Sequence, residues 1–178
     1  IGEPVMGAGG VLVAPRTYWE KMQAVCRKYD ILVIADEVIT GFGRTGVPFA
    51  SELYGIDPDF MTLSKQITSS YMPLSAVLLS DAIYQGIADN SAKIGTFGHG
   101  FTGSGHPVAT AVAVENLKII EERKLFDHAA KVGEYLQDKL RETFTEHPLI
   151  GEVRGVGLIA ALEMVADKKT KRQFDPLG

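Results

Sequence analysis

Residues 31–46 read ILVIADEVITGFGRTG, and this stretch decides the expected fold. Its first five residues are apolar and partly β-branched, which is typical of a strand buried on both faces of a parallel sheet. The apolar run stops at Asp36 and Glu37, and glycines at positions 41, 43 and 46 mark the loop that follows. The stretch therefore predicts a buried strand that ends in two carboxylates and a glycine-rich loop.

A helix is predicted over residues 17–29, immediately before this strand. Thr17 and Glu20 have the spacing of a capping box, in which the two side chains bond to each other's backbone amides at a helix N-terminus. The apolar residues at helical spacing are Tyr18, Met22, Val25 and Tyr29.

Helical and strand patterns alternate after residue 46. Pro107 stands where the first residue of a helix would be, because proline fits that position best. After Pro148, the glycine-marked apolar segment 151–163 predicts a turn leading into a new strand. The other predicted elements are a short helix at 49–54, strands at 60–63 and 73–79, a short helix at 81–86, a loop at 95–105, a helix at 107–122, and a helix with Val132, Leu136, Leu140 and Phe144 on one face.

Strands that alternate with helices imply an α/β fold with a mainly parallel sheet flanked by helices. Right-handed crossovers place the strand ends on one edge of such a sheet, and ligands bind at the carboxyl ends of the strands. Asp36 and Lys65 are both expected at that edge, because each follows a predicted strand.

Asp36 and Lys65 are more informative together than separately. An aspartate at a strand end is most often a helix cap or a turn former, and a lone lysine is most often simply solvated. A carboxylate and an amine at neighbouring strand ends, however, provide what pyridoxal 5′-phosphate requires. The carboxylate keeps the pyridine nitrogen protonated, and the amine forms a Schiff base with the aldehyde.

Composition and charge narrow the classes of function and the cellular location that remain for this chain. The 178 residues carry a formal net charge of −4, and the one basic cluster, at 168–172, is interpreted as a solvated turn, so nucleic-acid binding has little support. No apolar stretch approaches the ~20 residues that cross a bilayer, so we expect a soluble protein without a membrane role. The single cysteine, Cys26, fits a reducing compartment and predicts a cytoplasmic location. Because the chain starts without Met or a signal-peptide pattern, we expect a piece of a longer protein.

Four motifs occur in the order and spacing of one known family: EPVMGAGG at 3–10, ADEVITGFGRTG at 35–46, TLSK at 62–65 and GFTGSGHP at 100–107. With GVGL at 155–158, the chain resembles the class III, or omega-, aminotransferases over essentially its whole length. The resemblance implies the fold type I of pyridoxal-phosphate-dependent transferases. It also implies that residues 1–122 are part of the large cofactor-binding domain and that 123–178 begin a smaller C-terminal α+β domain.

The resemblance assigns roles to three residues around the cofactor ring. Asp36 would pair with the pyridine nitrogen, Val38 would pack on one face of the ring, and Lys65 would form the Schiff base as the catalytic lysine. Val38 can also be simply a buried strand-end residue, and the two interpretations are compatible.

Two further positions are implied at the edges of the site. Thr102 and the backbone of Phe101 resemble the part of the family that binds the cofactor phosphate of the neighbouring subunit, which implies a homodimer with the site at the interface. Without the resemblance, these residues would be interpreted as ordinary loop residues. Glu3 resembles a carboxylate near the cofactor and the substrate entrance, and its alternative role is a strand-end residue held by Pro4.

Some positions differ from the family pattern or invite another interpretation. Gln66, Ser70 and Ser75 stand where family members more often have glycine or another small residue. Arg44 is interpreted as a structural ion pair or a subunit contact rather than a group that binds a substrate carboxylate. The family's upstream phosphate-binding turn and stacking aromatic residue are not found in the chain, so only part of the site is expected here.

The function implied is transfer of an amino group from an amine or omega-amino acid to a keto acid such as pyruvate, with no metal involved. An aminomutase or a decarboxylase of the same fold begins with the same chemistry, so Lys65 and Asp36 do not separate these reactions. The non-enzymatic alternative is a scaffold domain without cofactor, against which the lysine and aspartate argue.

Overall fold

The computed structural model describes residues 1–175, which form five α-helices and three small sheets. The strands are β1 (Val5–Met6), β2 (Leu12–Val13), β3 (Ile34–Asp36), β4 (Phe60–Leu63), β5 (Ala76–Leu79), β6 (Ile150–Val156) and β7 (Ile159–Met164). The helices are α1 (Tyr18–Lys28), α2 (Ala50–Tyr54), α3 (Asp81–Ile94), α4 (Pro107–Glu122) and α5 (Leu125–Phe144), with a 3₁₀ turn at Lys65–Ile67. The expected α/β class is confirmed.

The central sheet has the strand order β3-β4-β5. Strands β3 and β4 are parallel, as expected, whereas β5 runs antiparallel to β4. The segment between β4 and β5 contains only the 3₁₀ turn, and a parallel connection needs a longer crossover, usually a helix. The strand predicted at 31–35 is shifted to Ile34–Asp36, because the Ile31 amide still bonds to the Cys26 carbonyl at the end of α1.

The N-terminal residues extend this sheet beside β3. Gly2 forms a parallel bridge with Ala35, with the Gly2 amide bonded to the Ile34 carbonyl at 3.0 Å and the Asp36 amide bonded to the Gly2 carbonyl at 2.9 Å. The chain thus brings Glu3 to the same edge as Asp36.

Helix α1 forms as predicted, but its capping box does not. Thr17 has ψ near 1°, not the extended backbone of a capping residue, and its side chain makes no capping hydrogen bond. The buried face is also different from the predicted one. Trp19 and Gln23 are buried, whereas Tyr18, Val25 and Tyr29 are 49%, 53% and 63% exposed.

Trp19 lies in a small core with Val33 and Ile56, which fixes α1 against the strand that leads to the site. Gln23 forms hydrogen bonds with the segment that follows α2. Its amide nitrogen donates to the Gly55 carbonyl at 3.1 Å, and its oxygen accepts from the Asp57 amide at 2.8 Å.

Helix α3 is longer than the segment predicted at 81–86, since it continues to Ile94, while the predicted bounds of α4 are confirmed.

Segment 151–163 forms a hairpin, β6 and β7, whose backbone packs closely on α5. A Cβ added at Gly133 of α5 would lie 2.7 Å from the Gly157 Cα at the hairpin turn. Arg154 of β6 reaches the Gly10 carbonyl at 2.8 Å, and its hydrogen bond to Glu163 raises the pKa of the guanidinium.

The basic cluster lies in a turn closed by a bridge between Asp167 and Arg172, as predicted. Residues 176–178, the end of the expected C-terminal domain, lie outside the described residues. Within residues 1–175, no helix combines the length and the apolar character needed to span a membrane.

Candidate active site

Strands β3 and β4 end side by side at one edge of the central sheet. Asp36, the last residue of β3, is in register with Thr62, and the Glu37 amide donates to the Thr62 carbonyl at 3.0 Å. Strand β4 ends at Leu63, and Lys65 opens the 3₁₀ turn that follows. The structure therefore places Asp36 and Lys65 on the same edge, where ligands bind in sheets of this kind.

Asp36 is half-buried and only partly engaged. Its Oδ1 accepts a hydrogen bond from the Val38 amide at 3.0 Å, which is the turn-forming role common for aspartate at a strand end. Its Oδ2 has no hydrogen-bond partner in the described part of the chain. One carboxylate oxygen thus shapes the turn, and the other is free to bind a ligand. Val38 is half-buried in the same turn.

Glu37, the next residue, is completely buried. Its Oε1 accepts from the Ser51 amide at 2.6 Å and the Ser51 hydroxyl at 2.7 Å, and its Oε2 accepts from the Ala50 amide at 3.1 Å and from the Thr40 hydroxyl. The carboxylate therefore satisfies two N-terminal amides of α2. It fixes the loop directly after Asp36.

The sequence indicated Glu37 only as a second carboxylate at the strand end. Its partners in α2, Ala50 and Ser51, lie 13 and 14 residues away along the chain. The N-cap position of α2 is Phe49, whose side chain cannot cap a helix. A helix that lacks its own capping residue needs a partner from elsewhere in the chain, and this is the one sequence signal that points to Glu37.

Lys65 is exposed and has an unusual backbone. Its φ is +46°, in the left-handed region, and its ammonium has no hydrogen-bond or ion-pair partner among residues 1–175. Ser69 and Ser70 in the same turn also have left-handed backbones, with φ of +49° and +64°. Each such residue other than glycine costs about 1 kcal/mol or more. The left-handed backbone of Ser70 favours glycine, which agrees with the expectation that family members more often have glycine or another small residue at this position.

Phe101 and Thr102 lie in an exposed loop between α3 and α4. The Phe101 amide donates to the Ser104 hydroxyl at 2.9 Å, and the His99 ring contacts the Phe101 ring edge-on, with 5.7 Å between centroids. No hydrogen bond or ion pair joins Thr102 to Asp36 or Lys65 within the described residues. The structure thus places Asp36 and Lys65 at one sheet edge, whereas Thr102 lies in an exposed loop that makes no hydrogen bond to either residue in the described part of the chain.

Glu3 is half-buried beside β3, and its Oε2 accepts a hydrogen bond from the Gly7 amide at 2.9 Å. Pro4 is fully buried, and its carbonyl accepts from the Trp19 indole at 3.3 Å. These contacts agree with the strand-end role that was the alternative for Glu3. The parallel bridge at Gly2 also keeps Glu3 next to the edge that holds Asp36.

Arg44 makes a structural contact within its own chain but forms no ion pair among residues 1–175, and the subunit contact, the other expected role, stays a prediction. Its Nη1 donates to the Leu158 carbonyl at 3.4 Å, and the Leu158 amide donates to the Arg44 carbonyl at 2.9 Å. Among residues 1–175, no carboxylate pairs with Arg44. The glycine-rich loop is therefore held by the β6–β7 hairpin through the backbone of Leu158.

Comparison with known proteins identifies the family. The family model described as aminotransferase class-III matches residues 1–176. The solved omega transaminase from Pseudomonas jessenii in complex with PMP is 63% identical with a TM-score of 0.94, and the match covers 98% of this chain and 38% of that chain. The expected transferase fold is thereby confirmed.

Curated relatives agree with the family model. The putrescine–pyruvate aminotransferase of Pseudomonas aeruginosa is 50% identical over 179 residues, which cover 100% of this chain and 38% of that protein. The diaminobutyrate–2-oxoglutarate transaminase of Halomonas elongata is 48% identical over 176 residues, 99% of this chain and 38% of that protein. This chain thus spans 38% of the length of both relatives. The chain belongs to the class III aminotransferase family.

Proposed function

We propose that the protein containing this chain is a pyridoxal 5′-phosphate-dependent aminotransferase that moves an amino group from an amine or omega-amino acid to a keto acid such as pyruvate. One observation carries the proposal: parallel strands β3 and β4 bring Asp36 and Lys65 to one sheet edge. The relatives named as a putrescine–pyruvate aminotransferase and a diaminobutyrate–2-oxoglutarate transaminase support the substrate classes.

The residues at this edge fit the cofactor. Asp36 has a carboxylate oxygen without a partner, and Lys65 has an amine without a partner, in the described part of the chain. The Thr62 hydroxyl, in register with Asp36, is buried and also lacks a hydrogen-bond partner there. A buried polar atom without a partner is uncommon and is expected where a polar ligand binds.

Bound pyridoxal 5′-phosphate supplies an aldehyde for covalent attachment and a ring that accepts electrons. Asp36 would hold a proton on the ring nitrogen through its negative charge, which would strengthen that electron demand. The Lys65 amine would hold the cofactor covalently by condensing with its aldehyde, with loss of water, and the free amine would be placed to accept a proton from an amino substrate as a general base. Val38 would pack against the ring and keep water from one face.

We propose that Thr102 and the Phe101 backbone bind the cofactor phosphate of the partner subunit in a homodimer. The exposure of this loop, where Phe101 is 77% exposed, supports a contact outside its own chain. Glu3 would lie near the substrate entrance, supported by its position beside β3.

The expected domain division, 1–122 and 123–178, also remains a proposal. It is supported by the break between α4 and α5, where Lys124 has a left-handed backbone with φ of +49°. A cytoplasmic location is proposed from the single cysteine, Cys26, which is free.

The central test is covalent attachment at Lys65. Borohydride reduction of the full-length protein loaded with pyridoxal phosphate, followed by peptide mapping, should find the label on Lys65. Lys65→Ala should remove the label and nearly all turnover, because the attachment point and the general base are lost together. Lys93→Ala, which removes another exposed lysine, at the end of α3, is the matched control and should leave both unchanged.

Label on a different lysine in the unmodified protein would contradict the proposal. Analysis of products with and without pyruvate separates amino transfer from the alternatives. Without a keto acid, an aminotransferase stops after one equivalent of amine per site, so continued amine consumption would indicate an aminomutase or a decarboxylase instead.

A further inference from the structure

One side chain of helix α4 holds the turn that carries Lys65. The amide nitrogen of Asn116 donates to the Gln66 carbonyl at 2.7 Å and to the Ile67 carbonyl at 3.2 Å. Its amide oxygen accepts a hydrogen bond from the Ser69 hydroxyl at 2.7 Å. Asn116 therefore contacts the turn at three points, on the residues that directly follow Lys65.

The turn needs such a contact because its backbone is strained. Lys65, Ser69 and Ser70 all have left-handed backbones, and strain of this kind persists only where surrounding contacts enforce it. Within the turn, the amides of Thr68 and Ser70 both donate to the Lys65 carbonyl, at 3.3 and 3.2 Å. Those bonds close the turn but do not attach it to the rest of the protein.

Attachment comes from two sides. On the inner side, Ile67 and Thr68 are buried. Asn116 supplies the contact with α4. The Lys65 side chain has no partner among residues 1–175, so the position of its amine depends on the backbone that these contacts fix.

We propose that Asn116 is a positioning residue for Lys65, which holds the left-handed turn so that the lysine amine meets the cofactor aldehyde. The inference rests on the proposed function, in which Lys65 carries pyridoxal phosphate. It predicts different effects on covalent attachment and on non-covalent binding of the cofactor. Loss of the Asn116 contacts should slow covalent attachment at Lys65. Non-covalent binding, which does not use the lysine amine, should be retained.

The experiment uses the full-length protein and four variants. Asn116→Ala removes all three contacts, Asn116→Asp keeps the acceptor oxygen but removes the donor, and Ser69→Ala removes only the bond to that oxygen. Asn90→Ala is the matched control. The amide of Asn90 also donates to a carbonyl at 2.7 Å, that of Gly86, but on the exposed surface of α3.

Two quantities are measured for each variant. The first is the rate at which added pyridoxal phosphate becomes attached to Lys65, monitored by visible absorbance and borohydride trapping. The second is the dissociation constant of pyridoxamine phosphate, which forms no covalent bond with lysine. We expect Asn116→Ala and Asn116→Asp to slow attachment by about tenfold or more, since a misplacement of about 1 Å has large effects on rate. Pyridoxamine phosphate should bind within about twofold of the unmodified protein, and Ser69→Ala should have an intermediate effect on attachment.

The outcomes are distinguishable. If the Asn116 variants weaken attachment and pyridoxamine phosphate binding equally, Asn116 merely supports the fold and the inference is wrong. An unchanged attachment rate in the Asn116 variants or in Ser69→Ala would also overturn the inference. If the unmodified protein carries no label on Lys65, the proposed function fails and the inference fails with it. Label on Lys65 in the unmodified protein, with slow attachment confined to the Asn116 and Ser69 variants, would support both.

Discussion

At the scale of single residues, the adjacent carboxylates Asp36 and Glu37 have opposite surroundings. Glu37 is completely buried, and both its oxygens accept hydrogen bonds from the loop and from the start of α2. Asp36 is half-buried, and only Oδ1 has a partner among residues 1–175. A fully bonded carboxylate suits a structural role, whereas a carboxylate with a free oxygen suits binding.

Asp36→Asn tests whether Asp36 acts through its charge. The amide keeps the shape of the side chain and its bond to Val38, but it removes the negative charge that would keep the ring nitrogen protonated. We expect the turnover number to fall by roughly two orders of magnitude or more, as when a preorganised electrostatic partner is lost. Steady-state kinetics with an amine and pyruvate would measure this.

Asp57→Asn is the control for Asp36→Asn. Asp57 is an exposed aspartate 3.7 Å from Arg27, and exposed ion pairs contribute little. Its variant should keep normal turnover. Near-normal turnover of Asp36→Asn would show that Asp36 is only a turn former.

The positions of Asp36 and Lys65 could be predicted because each follows an apolar run that ends abruptly, and local patterns determine strand ends. The partners of Glu37 and Asn116 could not. Asn116 contacts Gln66 at a separation of 50 residues, and no local pattern records which helix packs against which turn. The left-handed backbone of Lys65 is likewise a result of these distant contacts.

At the scale of elements, the sequence predicted helices better than their buried faces. In α5, Leu136, Leu140 and Phe144 are half-buried and Val132 is 37% exposed, while the buried residues are Ala129, Gly133 and Gln137. Small residues allow the hairpin backbone to approach the helix, and hydrophobic spacing does not reveal that approach. The same limit applies to α1, where Gln23 is buried by hydrogen bonds.

A pair of glycine variants tests the close packing between α5 and the hairpin. Gly133→Ala would place a Cβ 2.7 Å from the Gly157 Cα, so backbone must move. We expect a loss of roughly 1–3 kcal/mol in the free energy of unfolding, the usual cost of overpacking. Thermal and urea unfolding of the full-length protein would measure the change.

Gly86→Ala is the matched control for Gly133→Ala. A Cβ at Gly86, inside α3, meets nothing within 4 Å. Alanine is the better helix former by about 1 kcal/mol, so this variant should be slightly stabilised. Equal effects of the two substitutions would mean that the contact between Gly133 and Gly157 is not tight.

At the scale of the whole molecule, much apolar surface near the site is exposed. Strand β5 has one neighbour within the described residues, and its Val77 and Leu78 are 57% and 51% exposed. Tyr71, just beyond the Lys65 turn, is 82% exposed. The other edge of β5 has unpaired backbone groups within the described residues, and such an edge can pair with another segment. This exposure agrees with a site that is completed by other protein segments.

The proposed dimer makes a prediction about shared sites. If Lys65 binds its own subunit's cofactor and Thr102 binds the partner's, Lys65→Ala and Thr102→Ala homodimers are each impaired at both sites. A mixed dimer would have one site with both defects and one site with neither. Mixing the two variants under conditions that exchange subunits should therefore restore activity, up to about half of the normal value per mixed dimer.

The measurement is the transamination rate before and after exchange, with two affinity tags to purify the mixed dimers. Exchange between Lys65→Ala and Asp36→Asn subunits is the control. Both residues belong to one sheet edge of one subunit, so each site of that mixed dimer retains a defect and the rate should stay low. If activity returns in mixed dimers of Lys65→Ala with Thr102→Ala, but not in those of Lys65→Ala with Asp36→Asn, Thr102 must contribute to the site of the opposite subunit. If purified mixed dimers of Lys65→Ala and Thr102→Ala remain inactive, Thr102 serves its own subunit, and the exposed loop needs another explanation.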